Sequence, residues 1–130
     1  MYTFDDLVNI TNKLRSNEGC PWDREQTYES LKKCLTEECG EVLGAIDHED
    51  MENLCEELGD VLFLVMLYSQ IAKEKGDFSF DDVVKGICEK MVRRHPHVFG
   101  GENPGLQQEG QALWDAIKKQ EKARQKCEKP

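Results

Sequence analysis

Residues 36–46 read T-E-E-C-G-E-V-L-G-A-I. Together with the residues before them they follow the helical period, which places Leu31, Leu35, Val42 and Ile46 on one stripe. Glu38 falls inside that stripe, one turn from Leu35 and one from Val42. Glu41 lies at its edge, and Glu37 turns towards solvent. A glutamate in a core-facing stripe needs a physical reason, because burying one unpaired carboxylate costs several kcal/mol.

The helix that follows repeats the device. Glu57 shares a stripe with Val61, Leu64 and Tyr68, and Asp60 shares a neighbouring face with Leu64, Leu67 and Ile71. Two E-x-x-[ED] pairs therefore sit on facing sides of consecutive helices, separated by residues 42–56. Converging carboxylates repel each other unless something cationic lies among them. The bland reading pairs each with Lys or Arg, but these two helices offer only Lys32, Lys33, Lys73 and Lys75. A hard divalent cation answers better, and oxygen-only ligands favour Mg²⁺ or Mn²⁺. A di-iron site would need Glu-x-x-His from two helices, and no E-x-x-H occurs in the chain.

Punctuation marks five helices. Thr3, with Asp6 in capping-box position, opens one that ends near Arg15. Residues 17–26, N-E-G-C-P-W-D-R-E-Q, read as a loop in which Trp22 packs. Thr27 opens a second helix to about Asp47. Asp50 opens a third that stops at Gly76. Ser79, with Asp82, opens a fourth that ends before Pro96. G-G-E-N-P-G, 100–105, reads as loop, and a fifth helix covers about Glu109 to Lys126. Nothing alternates as a strand would. The expected fold is all-α, an antiparallel helix bundle of about five helices in a single domain, 1–130. The run Val61–Leu67 is apolar on every side, so a second subunit is expected to cover part of it, in a homodimer or homotetramer.

Composition narrows the partners. The formal net charge is -9, which opposes binding of a nucleic-acid polymer for want of Lys and Arg to displace counterions. An anionic ligand needs a metal or a local basic cluster. Val61–Tyr68, the longest apolar run, is far short of a membrane span. The six cysteines form no C-x-x-C and no zinc spacing, and residues 1–10 hold two aspartates and no apolar run. Free thiols in a reducing cytosol, and so a cytoplasmic location, are expected.

Four motifs in order carry a resemblance. G-C-P-W-D-R-E-Q-T (19–27), E-E-C-G-E (37–41), E-E-L-G-D (56–60) and K-M-V-R-R-H-P-H-V-F-G (90–100) resemble MazG-type nucleoside triphosphate pyrophosphohydrolases, from about Phe4 to Lys118. The resemblance implies an all-α, oligomeric, Mg²⁺-dependent enzyme that cleaves a nucleoside triphosphate to the monophosphate and pyrophosphate. Its E-x-x-E and E-x-x-D pattern makes Glu38, Glu41, Glu57 and Asp60 the metal ligands. Two departures bear on the nucleobase preference: Tyr28 stands where many relatives have His, and Cys39-Gly40 where many have Ala-Tyr.

The same resemblance assigns the basic residues. Lys90, Arg93 and Arg94 share one helix face and form a dense cationic cluster, which alone reads as a solvated helix end favoured by the dipole. Relatives use such residues on substrate phosphates, and Arg suits that geometry. Trp114 and Lys118, at i and i+4, are implied to lie near base and phosphate; packing of the last helix is the competing role for Trp114. His95 and His97 are expected to shape the turn and cap the helix before it. The expected chemistry is metal-assisted attack of water on the α-phosphorus, with Glu38 or Glu41 taking a proton and the cations neutralising charge. The cell role implied is nucleotide-pool house-cleaning. Two alternatives remain: a related enzyme for dUTP, dCTP or phosphoribosyl-ATP, and a non-enzymatic helical dimerisation module stabilised by metal.

Overall fold

A computed structural model describes residues 1–100 and 110–128. Among them there are α-helices and no strand, in the order α1 (Phe4–Arg15), α2 (Pro21–Glu25), α3 (Lys32–Asp47), α4 (Met51–Lys75), α5 (Phe80–Arg94), α6 (Pro96–Phe99) and α7 (Gly110–Glu128). The all-α expectation holds, with two short helices added. Both α2 and α6 open on a proline at the first helical position, where its missing N–H costs nothing and its fixed φ suits a helix. Read from sequence, those prolines mark loop and stop.

Local caps set the boundaries. The Thr3 hydroxyl accepts from the Asp6 N–H, and the Thr3 N–H donates to the Asp6 carboxylate at 2.7 Å. Asp50 caps α4 by accepting from the Asn53 N–H. Gly76 ends α4 in the left-handed region, φ 77°, which suits a residue without Cβ. The Ser79–Asp82 pair opens α5 in the same reciprocal way as Thr3–Asp6. The start of the helix expected at Thr27 is corrected: Thr27 and Ser30 hold a single turn by reciprocal bonds, and α3 proper begins at Lys32. Of the expected loop 100–105, all but Gly100 lies outside the described residues.

The chain divides into two compact units, Met1–Val83 and Val84–Pro130. In the first, α3 packs on α4, and α1 packs on α4 and α2. Leu31, Leu64, Leu67 and Ile71 form the core, with Tyr28, Cys34, Leu35, Phe63 and Tyr68 against it. A tight connector at residues 48–50, with Glu49 at φ 54°, turns α3 into α4 and lays the two acidic helices side by side. Ile46 of the expected α3 stripe is half exposed, and outside the expected α4 stripes Leu58, Leu62 and Val65 leave one face of α4 open.

The loop before α3 is fixed by two devices. Arg15, 8% exposed, donates through Nη1 to the carbonyls of Asp23 and Gln26 and through Nε and Nη2 to the Glu74 carboxylate. Gly19 lies so close to the carbonyls of Lys13 and Leu14 that a Cβ would overlap them. Trp22, expected to pack, is 54% exposed, because α2 turns Asp23 inward instead.

Candidate functional site

The pairing of α3 with α4 brings three of the four singled-out carboxylates together. Glu38, Glu41 and Glu57 each offer an oxygen within 4.8 Å of the others. Glu57 is buried, Glu38 half-buried and Glu41 exposed, so the group runs from the interior to the surface. Asp60 is exposed and stands outside this trio, although its charge reaches Glu38. One oxygen of Glu38 and one of Glu57 are buried and meet no donor group among the described residues.

Electrostatics report the same crowding. Burial pushes the Glu38 carboxyl above the usual carboxylate range; contact with Glu57 works against that shift, and the charges of Glu41 and Asp60 add to it. Glu57 is pushed up to about 8, first by its hydrogen bond with Glu41, then by burial and by Glu38. Carboxylates this close cannot all ionise without a counter-charge, and a proton takes that place when no cation does. Oxygen-only donors, two of them without a hydrogen-bond partner and none ion-paired with Lys or Arg among the described residues, fit a hard divalent cation. A groove of about 480 Å³, lined by Glu41, Gly44, Ala45, His48, Asp50, Asn53 and Glu57, leads to the trio from the α3–α4 turn.

The second unit gathers the cations. Arg94 lies 4.7 Å from the centre of the Trp114 ring and Lys118 lies 5.6 Å from it. Arg93 and Arg94 both bind Glu121 of α7. Lys90 sits on α5 one turn before this pair and is half-buried. His95 donates from Nδ1 to the Met91 carbonyl at 2.6 Å, the expected cap of α5. His95 also stacks obliquely on Trp114 and on His97, whose buried Nδ1 has no partner among the described residues. Glu121 was not legible as a site residue. Its signal is its place one and two turns beyond Lys118 and Trp114 on a single face of α7, an acid among bases.

A third cluster also escapes sequence reading. Tyr28 donates its hydroxyl to Asp77 at 2.7 Å, stacks on Tyr68 and carries the Lys75 ammonium 4.7 Å above its ring. That hydrogen bond, with burial and the Asp77 charge behind it, pushes the phenol up to about 12. Tyr28 is thus engaged within the first unit.

Comparison with known proteins gives the family. Residues 26–99 match the family model described as the MazG nucleotide pyrophosphohydrolase domain. The nucleoside triphosphate pyrophosphohydrolase/pyrophosphatase MazG of Thermotoga maritima is 51% identical over 123 residues, 95% of this chain and 47% of that protein. The nucleoside triphosphate pyrophosphohydrolase of Escherichia coli is 45% identical over 124 residues, again 95% and 47%. The chain thus spans about half the length of these relatives. A crystal structure of a mazG-related protein from Thermotoga maritima superposes with a TM-score of 0.70 at 30% identity, over 88% of this chain and 98% of that one. On the family match, the relatives and the shared helical fold, the chain belongs to the MazG nucleotide pyrophosphohydrolase family.

Proposed function

We propose that this chain hydrolyses nucleoside triphosphates to nucleoside monophosphate and pyrophosphate, with Mg²⁺, or Mn²⁺ in its place, held by Glu38, Glu41 and Glu57 and by Asp60 at their edge. The observation that carries the reading is the trio of carboxylates, within 4.8 Å of one another and in no ion pair with Lys or Arg among the described residues, in a chain of this family. When bound, the ion supplies charge neutralisation at phosphoryl oxygens and acidifies water. The chain supplies the rest. Glu41, exposed beside the groove, or Glu38 accepts the proton of the attacking water. Lys90, Arg93, Arg94 and Lys118 take up charge on the phosphates, and Trp114 offers an aromatic face for a base. The cell role inferred from the family is house-cleaning of the nucleotide pool.

Apolar groups left at the surface support assembly into a homodimer or homotetramer. Leu58, Leu62 and Val65 are exposed on α4, and Tyr2, Phe4, Leu7, Ile10 and Leu62 line a groove of about 470 Å³. Among the described residues no helix is long and apolar enough to cross a membrane.

The test is product analysis with each common NTP and dNTP, with Mg²⁺ and with EDTA. Monophosphate and pyrophosphate are expected with metal alone. Diphosphate and phosphate would mean attack at the γ position and would overturn the reaction assigned. A folded protein that binds Mg²⁺ and turns over none of them would leave the metal-stabilised helical module as the better reading.

A further inference from the structure

We infer that Glu121 is a positioning residue, which holds the Arg93 and Arg94 guanidinium groups side by side and presents them to the phosphates of the substrate. The inference rests on the proposed phosphate role of the two arginines.

The geometry is that of one carboxylate serving two forks. Arg93 donates from Nε to Glu121 Oε2 at 2.6 Å, and its Nη2 lies in an ion-pair contact 2.6 Å from the same oxygen. Arg94 donates from Nε to Glu121 Oε1 at 2.8 Å, and its Nη2 lies in an ion-pair contact 2.7 Å from that oxygen. Each arginine thus turns the Nε and Nη2 edge of its guanidinium to Glu121, and its Nη1 amino group lies on the opposite edge. Adjacent guanidiniums repel each other, and the single carboxylate between them removes part of that cost while fixing both planes.

Its surroundings separate this pair from an ordinary surface ion pair. The Glu121 and Arg94 side chains are 15% and 13% exposed, where exposed pairs contribute little. The hydrogen bond from Arg94, followed by that from Arg93, holds the Glu121 carboxyl below its usual range, so it stays ionised at neutral pH. Glu121 also continues the face of α7 that carries Trp114 and Lys118. The same contact therefore joins the α5 arginines to the ring on which Arg94 and Lys118 rest. Arg94, Lys118, Glu121 and Lys122 line a cavity of about 180 Å³, in which Glu121 is the one acid beside three bases among the described residues.

The experiment is steady-state hydrolysis by Glu121→Gln, Glu121→Asp, Arg93→Ala/Arg94→Ala and the triple variant Arg93→Ala/Arg94→Ala/Glu121→Gln. Gln keeps the shape but turns an amide donor towards one arginine. A fall in kcat/KM of about tenfold is expected, as for loss of charged hydrogen bonds. In the double-arginine background the same change should cost nothing further, because the groups it positions are gone. A kcat/KM within about twofold of wild type for Glu121→Gln, or a loss that multiplies with that of the arginines, overturns the positioning role. If the double-arginine variant itself keeps wild-type kcat/KM, the phosphate reading fails first. Should Glu121→Gln lose its helical circular dichroism, Glu121→Asp carries the test. It keeps the charge but is one methylene short, so a fall of about threefold is expected, and none overturns the inference.

Discussion

Replacing Arg15 with Ala tests how the loop before α3 is held. Arg15 is 8% exposed and donates to the carbonyls of Asp23 at 2.6 Å and Gln26 at 2.9 Å, and to Glu74 at 2.6 and 3.1 Å. Hydrogen bonds from a charged donor contribute about 1.5–3 kcal/mol each when their partners would otherwise stay buried. The Glu74 side chain is 39% exposed, so its pair adds at most about 1 kcal/mol. Non-additivity brings the whole loss on Arg15→Ala to about 3 kcal/mol. With a urea m-value of about 2 kcal/mol/M, that is a drop in the unfolding midpoint of about 1.5 M. Arg15→Lys keeps the charge but not the fork, and should lose about half as much. Urea titrations followed by far-ultraviolet circular dichroism read both. Losses below about 1 kcal/mol for Arg15→Ala, or equal losses for Ala and Lys, would refute the clamp.

Three further outcomes are expected. The Glu74 carboxyl is held below its ordinary value of 4.5, chiefly by the Arg15 hydrogen bond. Its contribution is therefore complete above that value and fades as pH falls through the lower folded one. Wild type should keep its stability advantage over Glu74→Gln from pH 7 to 5 and lose it progressively as pH falls below 4.5, as checked by urea midpoints against pH. Gly19→Ala places a Cβ against two backbone carbonyls and should cost about 2 kcal/mol in the same titration. In EDTA, Glu38→Gln should raise the thermal midpoint by relieving crowded charge, and with Mg²⁺ it should abolish hydrolysis; a lower midpoint in EDTA would contradict the crowding.

Much of the fold was legible because it is written locally. The capping pairs Thr3–Asp6 and Ser79–Asp82, the Asp50 cap and the Gly76 stop are decided within a few residues, and all hold. The carboxylate pairs were legible because the helical period projects Glu38, Glu41 and Glu57 to one side, and the connector at 48–50 makes the two sides meet. The i, i+3 spacing alone does not decide membership: it keeps Glu41 with Glu38 but leaves Asp60 exposed outside the trio. Pro21 and Pro96 misled because a proline that reads as loop or stop also starts a helix well. What remained illegible is long-range. Arg15 meets Glu74 across 59 residues, and Arg94 meets Glu121 across 27. Neither pairing has a local signal.

The most direct measurement is calorimetry of Mg²⁺ and Mn²⁺ binding at pH 7, in two buffers of different ionisation heat, for wild type and Glu57→Gln. With Glu57 pushed up to about 8, the trio without metal holds a proton at pH 7 that a divalent ion must displace. Wild type should bind one or more ions and release close to one proton, seen as a buffer-dependent heat, and Glu57→Gln should lose most of both. Binding with heats independent of buffer, or undiminished in Glu57→Gln, would place the metal elsewhere and contradict the carboxylate site.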